Sequence, residues 1–252
     1  MTKPNKKGVC RLCENYTELS FEHIPPQSAF NNKSVLLHSL NYISDNSYQI
    51  AGKTPQRKHR RGLGEHSLCQ KCNNLTGAWY GDAYLEWAKQ GMSYLDRIEK
   101  TVNVSIPFYI KPLNVLKQIV TMGLAMSSGN STNNYELRRF ALNRREKELS
   151  SKFLFYVYLT NKKSEPRYMA ESIQFDISTG TTDFVLAEVS LPPTGFVILN
   201  SIPDKQSSVT EDDLCLINHF SNYDYNVWTP IYLKIPIHRI WSPTPLDYRK
   251  ID

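Results

Sequence analysis

The chain has 252 residues, of which 40% are hydrophobic and 12% aromatic, so it can bury a core and is not intrinsically disordered. No run of about 18 or more apolar residues predicts a membrane span, and the N-terminus lacks the apolar stretch of a signal peptide. We therefore expect a soluble, cytoplasmic protein. The net charge is +6, and residues 1–73 carry all of this excess, which indicates a polyanionic partner for that segment.

The first predicted elements are a short hairpin over residues 8–30 and a long polar loop over 31–62. Cys10 and Cys13 form a tight corner, 17–21 is extended, and the prolines at 25–26 end that strand. The loop shows weak periodicity, with one short element expected around 35–43. Loops of this length are usually functional or poorly ordered.

Three helices are predicted over 74–98, 112–127 and 134–149, where apolar residues recur at steps of three and four. Thr76, Asn73 and Asn74 are the candidate N-caps of the first helix. Beyond residue 150, short runs rich in Phe, Tyr, Val and Ile between turn residues are typical of β-strands. The predicted strands are 153–160, 168–177, 184–190, 195–199, 214–217 and 231–235. Two of these runs are nearly all apolar, which predicts strands that are covered on both faces.

The change of pattern places a boundary near residues 99–103. We expect a head, residues 1–100, that ends in a connector helix, and a body, residues 101–252, that contains a mixed sheet with helices. The predicted fold class is α+β.

Two Cys-x-x-Cys corners carry the strongest signal. Two intervening residues let both thiolates point at one ion, and two corners complete a tetrahedral sulfur site of the kind that zinc prefers. The other interpretation is that the two motifs are redox-active cysteine pairs. We expect a zinc ion instead, and one with a structural role, because four thiolate ligands leave no open coordination position. The predicted ligands are Cys10, Cys13, Cys69 and Cys72. The fifth cysteine, Cys215, is predicted to be a buried thiol of the core.

A Glu-His-Ile-Pro-Pro segment at 22–26 lies between the corners, and Asn73 follows the second corner directly. This order of motifs resembles the HNH endonucleases, in particular their four-cysteine zinc branch, which includes phage endonuclease VII-type resolvases and bacterial restriction nucleases. The resemblance covers residues 8 to about 82. It implies a zinc-stapled ββα-metal head, similar to a treble clef, that cuts phosphodiester bonds in DNA, in a setting such as restriction or anti-phage defence.

The resemblance assigns three catalytic residues. Glu22 and Asn73 correspond to ligands of a catalytic divalent ion, and His23 corresponds to the general base. The chemistry agrees, because carboxylate and amide oxygens suit Mg²⁺ or Mn²⁺ and a histidine is largely neutral at cellular pH. The alternatives are a solvated charge for Glu22, a turn histidine for His23 and a helix cap for Asn73. Adjacent strand residues point to opposite faces, so Glu22 and His23 share one site only if the backbone bends.

The sequence departs from the family at one position. The family usually places an Asn about five residues before the second corner, where it fixes the loop, and this chain has Gly64 there. Other residues would have to take over the role of that Asn. The candidates are Asn31, Asn32, Glu65 and His66.

Basic residues near the second corner are candidates for contact with nucleic acid. Clustered Lys and Arg neutralise phosphates and give salt-dependent binding without reading bases. A solvated surface loop is the alternative. The predicted contacts are Arg57, Lys58, Arg60, Arg61 and Lys71.

Two other functions compete with a nuclease. One is a non-catalytic, zinc-dependent module that binds nucleic acid, which would need neither Glu22 nor His23. The other is a structural or toxin-like partner protein whose head is regulated by its body. An activating protein partner or a homo-oligomer is a further expectation for this chain. The sequence leaves open the role of the body, the oligomeric state and whether the substrate is DNA or RNA.

Overall fold

The computed structural model shows a mixed α/β protein. It describes residues 6–38, 56–97, 105–127, 134–160, 166–176, 181–200, 209 and 214–238. The predicted boundary near 99–103 lies outside these residues.

The head begins with strands that form two small sheets. Strands β1 (Lys7–Val9), β2 (Tyr16–His23) and β5 (Gly64–Cys69) form an antiparallel sheet with β2 in the centre. Strands β3 (Val35–His38) and β4 (Gln56–His59) pair with each other between β2 and β5 in the sequence. The element expected around 35–43 is therefore a strand over 35–38, and 39–55 lie outside the described residues.

A long helical run follows β5 directly. Helix α1 (Gln70–Thr76) continues through a π-helical segment (Gly77–Gly81) into helix α2 (Asp82–Leu95). The prediction placed the helix start at 74, which is wrong by four residues, and the predicted caps lie inside the helix. The cap is Cys69, whose side chain accepts a hydrogen bond from the Cys72 amide. The predicted apolar face is confirmed, because Tyr80, Tyr84 and Trp87 are buried.

The body contributes two further helices. Strand β6 (Ser105–Ile110), which was not predicted, leads into helix α3 (Pro112–Met126), and helix α4 is Tyr135–Leu142. The prediction of helix up to 149 is wrong. Buried Lys117 donates to the carbonyls of Phe140 and Asn143, so its ammonium group satisfies carbonyls at the end of α4. Among the described helices, none combines the length and the apolar character that crossing a membrane requires.

A six-stranded sheet forms the centre of the body. The remaining strands are β7 (Phe153–Thr160), β8 (Arg167–Asp176), β9 (Thr181–Leu191), β10 (Thr194–Asn200), β11 (Cys215–Leu216), β12 (Thr229–Lys234) and β13 (Ile237–His238), with a 3₁₀ helix at Asn218–Asn222. The sheet runs in the order β11-β7-β10-β9-β8, and β13 pairs with β7 in parallel, which makes the sheet mixed. A separate ribbon pairs β12 with β6. The burial of β7 and β10 confirms that the apolar runs are covered on both faces.

Helix α3 packs against this sheet and is buried along its whole length. A Cβ atom at Gly123 would lie 2.3 Å from the Cδ1 atom of Ile198, so the glycine allows a close approach of helix and sheet. One hydrophobic cluster contains residues of both the head and the body, and it includes Leu12, Ile24 and Leu68 of the head. The head therefore packs on the same core as the body.

Candidate functional site

Four cysteine side chains converge where the β1–β2 turn meets the start of α1. The Sγ atoms of Cys10, Cys13, Cys69 and Cys72 all lie within 4.8 Å of one another, and Cys13 Sγ is 3.8 Å from Cys69 Sγ. Zn–S bonds of about 2.3 Å at tetrahedral angles place sulfur atoms about 3.8 Å apart, whereas a disulfide needs about 2.05 Å. The cluster could therefore hold a metal ion such as zinc.

The sulfur atoms of the cluster accept hydrogen bonds from backbone amides and interact with one another. The Cys69 amide donates to Cys10 Sγ at 3.2 Å, and the Cys72 amide donates to Cys69 Sγ at 3.4 Å. A hydrogen bond from Cys72, helped by backbone amides, lowers the pKa of Cys10 to about 4. The same hydrogen bond raises the pKa of Cys72, and burial raises the pKa of Cys13, so the lowered pKa of Cys10 is offset at its neighbours when no ion is bound. The fifth cysteine, Cys215, is buried outside this cluster, as predicted.

Glu22 lies in β2 on the side of the hairpin that is covered by protein. Its side chain is 8% exposed, and it makes no hydrogen bond or ion pair with another of the described residues. Burial raises the pKa of this carboxyl group to about 7. A buried carboxylate is costly unless a cation or donors compensate it, so its burial is unlike the solvated charge that was the alternative.

His23 is held by its neighbours in a defined tautomer. Its ring packs edge-on against Phe21, with 4.9 Å between centroids, and Nε2 lies 3.1 Å from the carbonyl oxygen of Arg61. Because a carbonyl can only accept, Nε2 carries the proton and the lone pair is on Nδ1. Burial lowers the pKa of His23 below its usual value, so the ring is neutral at pH 7.

A bulge in the hairpin lies just before these two residues. Ser20 pairs with Leu68 and Phe21 pairs with His66, so Ser67 is an extra residue in β5. Bulges bend a strand and change the direction of the side chains that follow. The bulge lies in β5, opposite the β2 residues that directly precede Glu22 and His23.

Asn73 connects the first helix to the same hairpin. Its Nδ2 atom donates to Ser20 Oγ at 3.1 Å and to the Phe21 carbonyl at 3.3 Å. The side-chain amide thus lies against the peptide group that precedes Glu22, with Oδ1 as its remaining acceptor. Since Cys69 is the N-cap, Asn73 is not the helix cap that was the alternative.

Among the four residues that were candidates for fixing the loop, Asn31 bridges its two ends. This side chain is 1% exposed and donates to the carbonyls of Pro25 and Leu63 at 2.6 and 2.8 Å. Its Oδ1 atom accepts from the Leu63 amide at 2.7 Å. One amide therefore joins the segment after β2 to the segment before β5. The other candidates do not make this bridge: Asn32 is exposed, Glu65 binds Arg11, and His66 packs on Phe21.

Two glycines make room for this arrangement. At Gly62, where φ is +97°, a Cβ atom would lie 2.2 Å from the Asn31 carbonyl oxygen. At Gly64, a Cβ atom would lie 2.1 Å from the carbonyl oxygen of Glu22. An Asn at position 64 would therefore displace the backbone of Glu22, which explains why another residue ties the loop.

Basic side chains are exposed around the hairpin. Lys58, Arg60, Arg61 and Lys71 are exposed, and none of them forms an ion pair with another described residue. The fifth predicted contact, Arg57, lies in β4, and its side chain is outside the described residues. Positive charge without acidic partners is available here for an anionic ligand.

Comparison with protein-family models, curated proteins and solved structures found no match to this chain.

We predict that Cys13→Ser removes bound zinc and lowers the melting temperature, because structural zinc supplies folding free energy directly. Zinc content by mass spectrometry and thermal unfolding test this. The control is Cys215→Ala, which removes a buried thiol outside the cluster and should retain zinc. Unchanged melting after complete loss of zinc would contradict a structural role for the ion.

We predict that Asn31→Ala lowers the free energy of unfolding by about 2–4 kcal/mol, because the Pro25 carbonyl and the Leu63 amide both lose a buried hydrogen-bond partner. The Leu63 carbonyl still accepts from the Ile24 amide. Its control is the exposed neighbour in Asn32→Ala, with an expected change below about 0.5 kcal/mol. Urea unfolding measures both. Equal effects would show that Asn31 does not tie the loop.

We predict that Glu22→Gln stabilises the protein above pH 7 when no Mg²⁺ or Mn²⁺ is added. Burial raises the folded-state pKa from its ordinary value of 4.5 to about 7, so the folded state binds the proton more tightly and stability falls as pH rises through this window. The expected gain at pH 8 is roughly 1–3 kcal/mol, and it should vanish near pH 4.

The matched control is Glu65→Gln, which changes the residue opposite Glu22 in the pairing of β2 with β5. Glu65 accepts from Arg11 at 3.1 Å and from Tyr168 at 2.6 Å, so losing its charge should destabilise the protein. Urea unfolding at pH 5 and pH 8 compares the two variants. A destabilising Glu22→Gln at pH 8 would mean that the carboxylate has a structural partner.

Proposed function

We propose that this chain is a metal-dependent HNH endonuclease that hydrolyses phosphodiester bonds, with DNA as the favoured substrate. The observation that carries the proposal is that two adjacent residues are prepared for catalysis. The Arg61 carbonyl accepts from His23 Nε2 and so leaves the lone pair on Nδ1, and the carboxyl group of Glu22 is buried. A turn histidine or a solvated glutamate would need neither feature. Together they supply a proton acceptor and a hard ligand in adjacent residues.

The order of elements supports a ββα-metal head. Strands β2 and β5 form the hairpin, α1 follows at once, and the four cysteines join the β1–β2 turn to the helix start. We infer that a zinc ion in this cluster is structural, since four thiolates leave no open position for substrate.

The residues present fit a second, divalent ion. Glu22 offers carboxylate oxygens, and Asn73 offers Oδ1 while its Nδ2 is held by Ser20 and Phe21. Two protein ligands of this kind suit Mg²⁺ or Mn²⁺, which retain water and take phosphate oxygens as further ligands. Such an ion would supply charge stabilisation for the phosphoryl group and the leaving oxygen.

The side chains of this protein perform the remaining steps. His23 Nδ1 accepts a proton from a water molecule as the water oxygen forms a bond to phosphorus. The ester bond between phosphorus and the leaving oxygen breaks, and that oxygen is protonated from solvent. The Arg61 carbonyl keeps the imidazole oriented and stabilises the imidazolium that forms.

Positive side chains near the hairpin support a nucleic-acid substrate. Lys58, Arg60, Arg61 and Lys71 would contact phosphates and orient the strand without reading its sequence. The preference for DNA and the setting in restriction or anti-phage defence rest on the resemblance of the motifs. An activating partner or a second copy of the chain remains part of this proposal.

We predict that the zinc-loaded protein nicks supercoiled plasmid with Mg²⁺ or Mn²⁺ and that EDTA stops the reaction. His23→Ala should lower the rate by about 10²–10⁴, the usual contribution of a general base, and added imidazole should restore part of it. The readout is the rate of conversion to open-circular plasmid, with zinc content and melting temperature checked in each protein.

The control is His219→Ala, since burial also lowers the pKa of His219 but it lies in the body. This variant should cut at the wild-type rate. If neither the wild type nor either variant cuts DNA while salt-sensitive binding persists, the zinc-dependent binding module becomes the better account.

A further inference from the structure

A surface formed by the long helical run and the body combines exposed aromatic rings with positive charge. We call it the aromatic patch and define it as Trp79, Tyr109, Lys111, Arg144, Tyr225 and Trp228. It lies outside the Glu22–His23 site, and the sequence motifs do not account for it.

One half of the aromatic patch is a stacked pair on the ribbon of β6 and the segment before β12. The rings of Tyr109 and Trp228 lie 5.3 Å apart at an interplanar angle of 20°. They are 57% and 40% exposed, so neither is part of a core. The ammonium group of Lys111 lies 4.9 Å from the centroid of the Trp228 ring, in a cation–π contact.

The other half is an arginine between two rings. The guanidinium carbon of Arg144 lies 5.8 Å from the ring of Trp79 and 5.5 Å from the ring of Tyr225. Arg144 is exposed, and both rings are partly exposed. Guanidinium and indole planes at this spacing present flat surfaces on which another planar group can stack.

Hydrogen bonds join the two halves into one rigid surface. Buried Asn114 donates to the Trp79 carbonyl at 2.9 Å and accepts from the Asn226 amide at 2.8 Å. Asn226 in turn accepts from Lys111 at 2.6 Å. The positions of the rings and cations are therefore set by the fold before any ligand binds.

The charge of the aromatic patch is not compensated by nearby acids. Asp82, three residues after Trp79, is exposed and forms no ion pair with either cation of the patch among the described residues. The acidic side chains beside Arg144 and Tyr225 are paired with other cations. Glu146 and Glu148 pair with Arg139, and Asp224 pairs with Lys147. Lys111 and Arg144 have no acidic partner among the described residues. The surface thus suits a ligand that carries both negative charge and flat apolar rings.

We propose that the aromatic patch binds a single-stranded segment of nucleic acid by stacking its unpaired bases while Lys111 and Arg144 contact its phosphates. A duplex offers only base edges, whereas an unpaired strand exposes the base faces that rings can stack on. Trp79 is six residues beyond Asn73 on the continuous helical run, about 9 Å along its axis. As a second contact for the substrate, the patch rests on the proposed nuclease function.

The test is fluorescence anisotropy with labelled dT20, rU20 and a 20-base-pair duplex, without Mg²⁺ or Mn²⁺, so that binding is measured apart from cleavage. We predict that Trp228→Ala and Arg144→Ala each weaken binding of the single strands by about tenfold, the usual loss for one stacking contact. Duplex binding should change less than threefold. Comparison of dT20 with rU20 shows whether the strand is DNA or RNA.

The matched control is Arg145→Ala, which removes the same charge at the adjacent exposed residue without a ring contact. Its affinity for single strands should stay within threefold of wild type. Equal losses for Arg144→Ala and Arg145→Ala would overturn the stacking proposal and leave only a general effect of charge. Unchanged binding by Trp228→Ala would also overturn it, and would leave a surface for a protein partner.

These results are separable from the nuclease assay. Plasmid nicking without any effect of Trp228→Ala on strand binding would retain the proposed function and reject the patch. A tenfold loss of strand binding in a protein that cuts no DNA would retain the patch as a binding surface and reject the nuclease.

Discussion

The four-cysteine cluster is the constraint on which the arrangement of the head depends. Cys10 and Cys13 lie in the β1–β2 turn, and Cys69 and Cys72 lie at the end of β5 and in the first turn of α1. Holding these distant segments together fixes the pairing of β2 with β5 and the place where the helix starts. Because the Cys69 sulfur is also the N-cap, the cysteine cluster and the beginning of α1 share the same atom. The carboxylate, imidazole and amide of the proposed site lie on the elements that this cluster joins.

A second, weaker constraint fixes the long insertion between the two strands. The Asn31 side chain donates to the carbonyl of Leu63 and accepts from its amide. The preceding glycine, Gly62, packs against Asn31. The next residue back is Arg61, whose carbonyl accepts from His23. The buried Asn31 amide therefore helps to orient the proposed base, His23, because it fixes the backbone of residues 61–63. Lengthening a loop adds little to the entropy cost of closing it, so this long segment is tolerated as long as its two ends are held together in this way.

Local signals in the sequence predicted much of the fold. The Cys corners, the apolar face of the first helix and the strands of the body all depend on spacing over a few residues, which periodicity reveals. The features that escaped prediction are non-local or involve backbone groups. The start of α1 is set by a cysteine that caps it, the end of α4 by Lys117 from another helix, and the tautomer of His23 by a carbonyl that no residue type signals. Burial of Glu22 also depends on packing that no short pattern records.

The body is part of the environment of the proposed site. Arg11 of the head binds Glu65 in β5, and Glu65 accepts from Tyr168 in strand β8 of the body. Burial raises the pKa of Tyr168, and the charges of Glu65 and Glu22 raise it further, so this hydroxyl group lies within electrostatic reach of the candidate metal ligand. Burial holds the pKa of Glu22 near neutrality, so the packing around this carboxyl group influences whether it is charged at pH 7. The Tyr168–Glu65 hydrogen bond therefore links the residue opposite Glu22 in the hairpin to the sheet of the body.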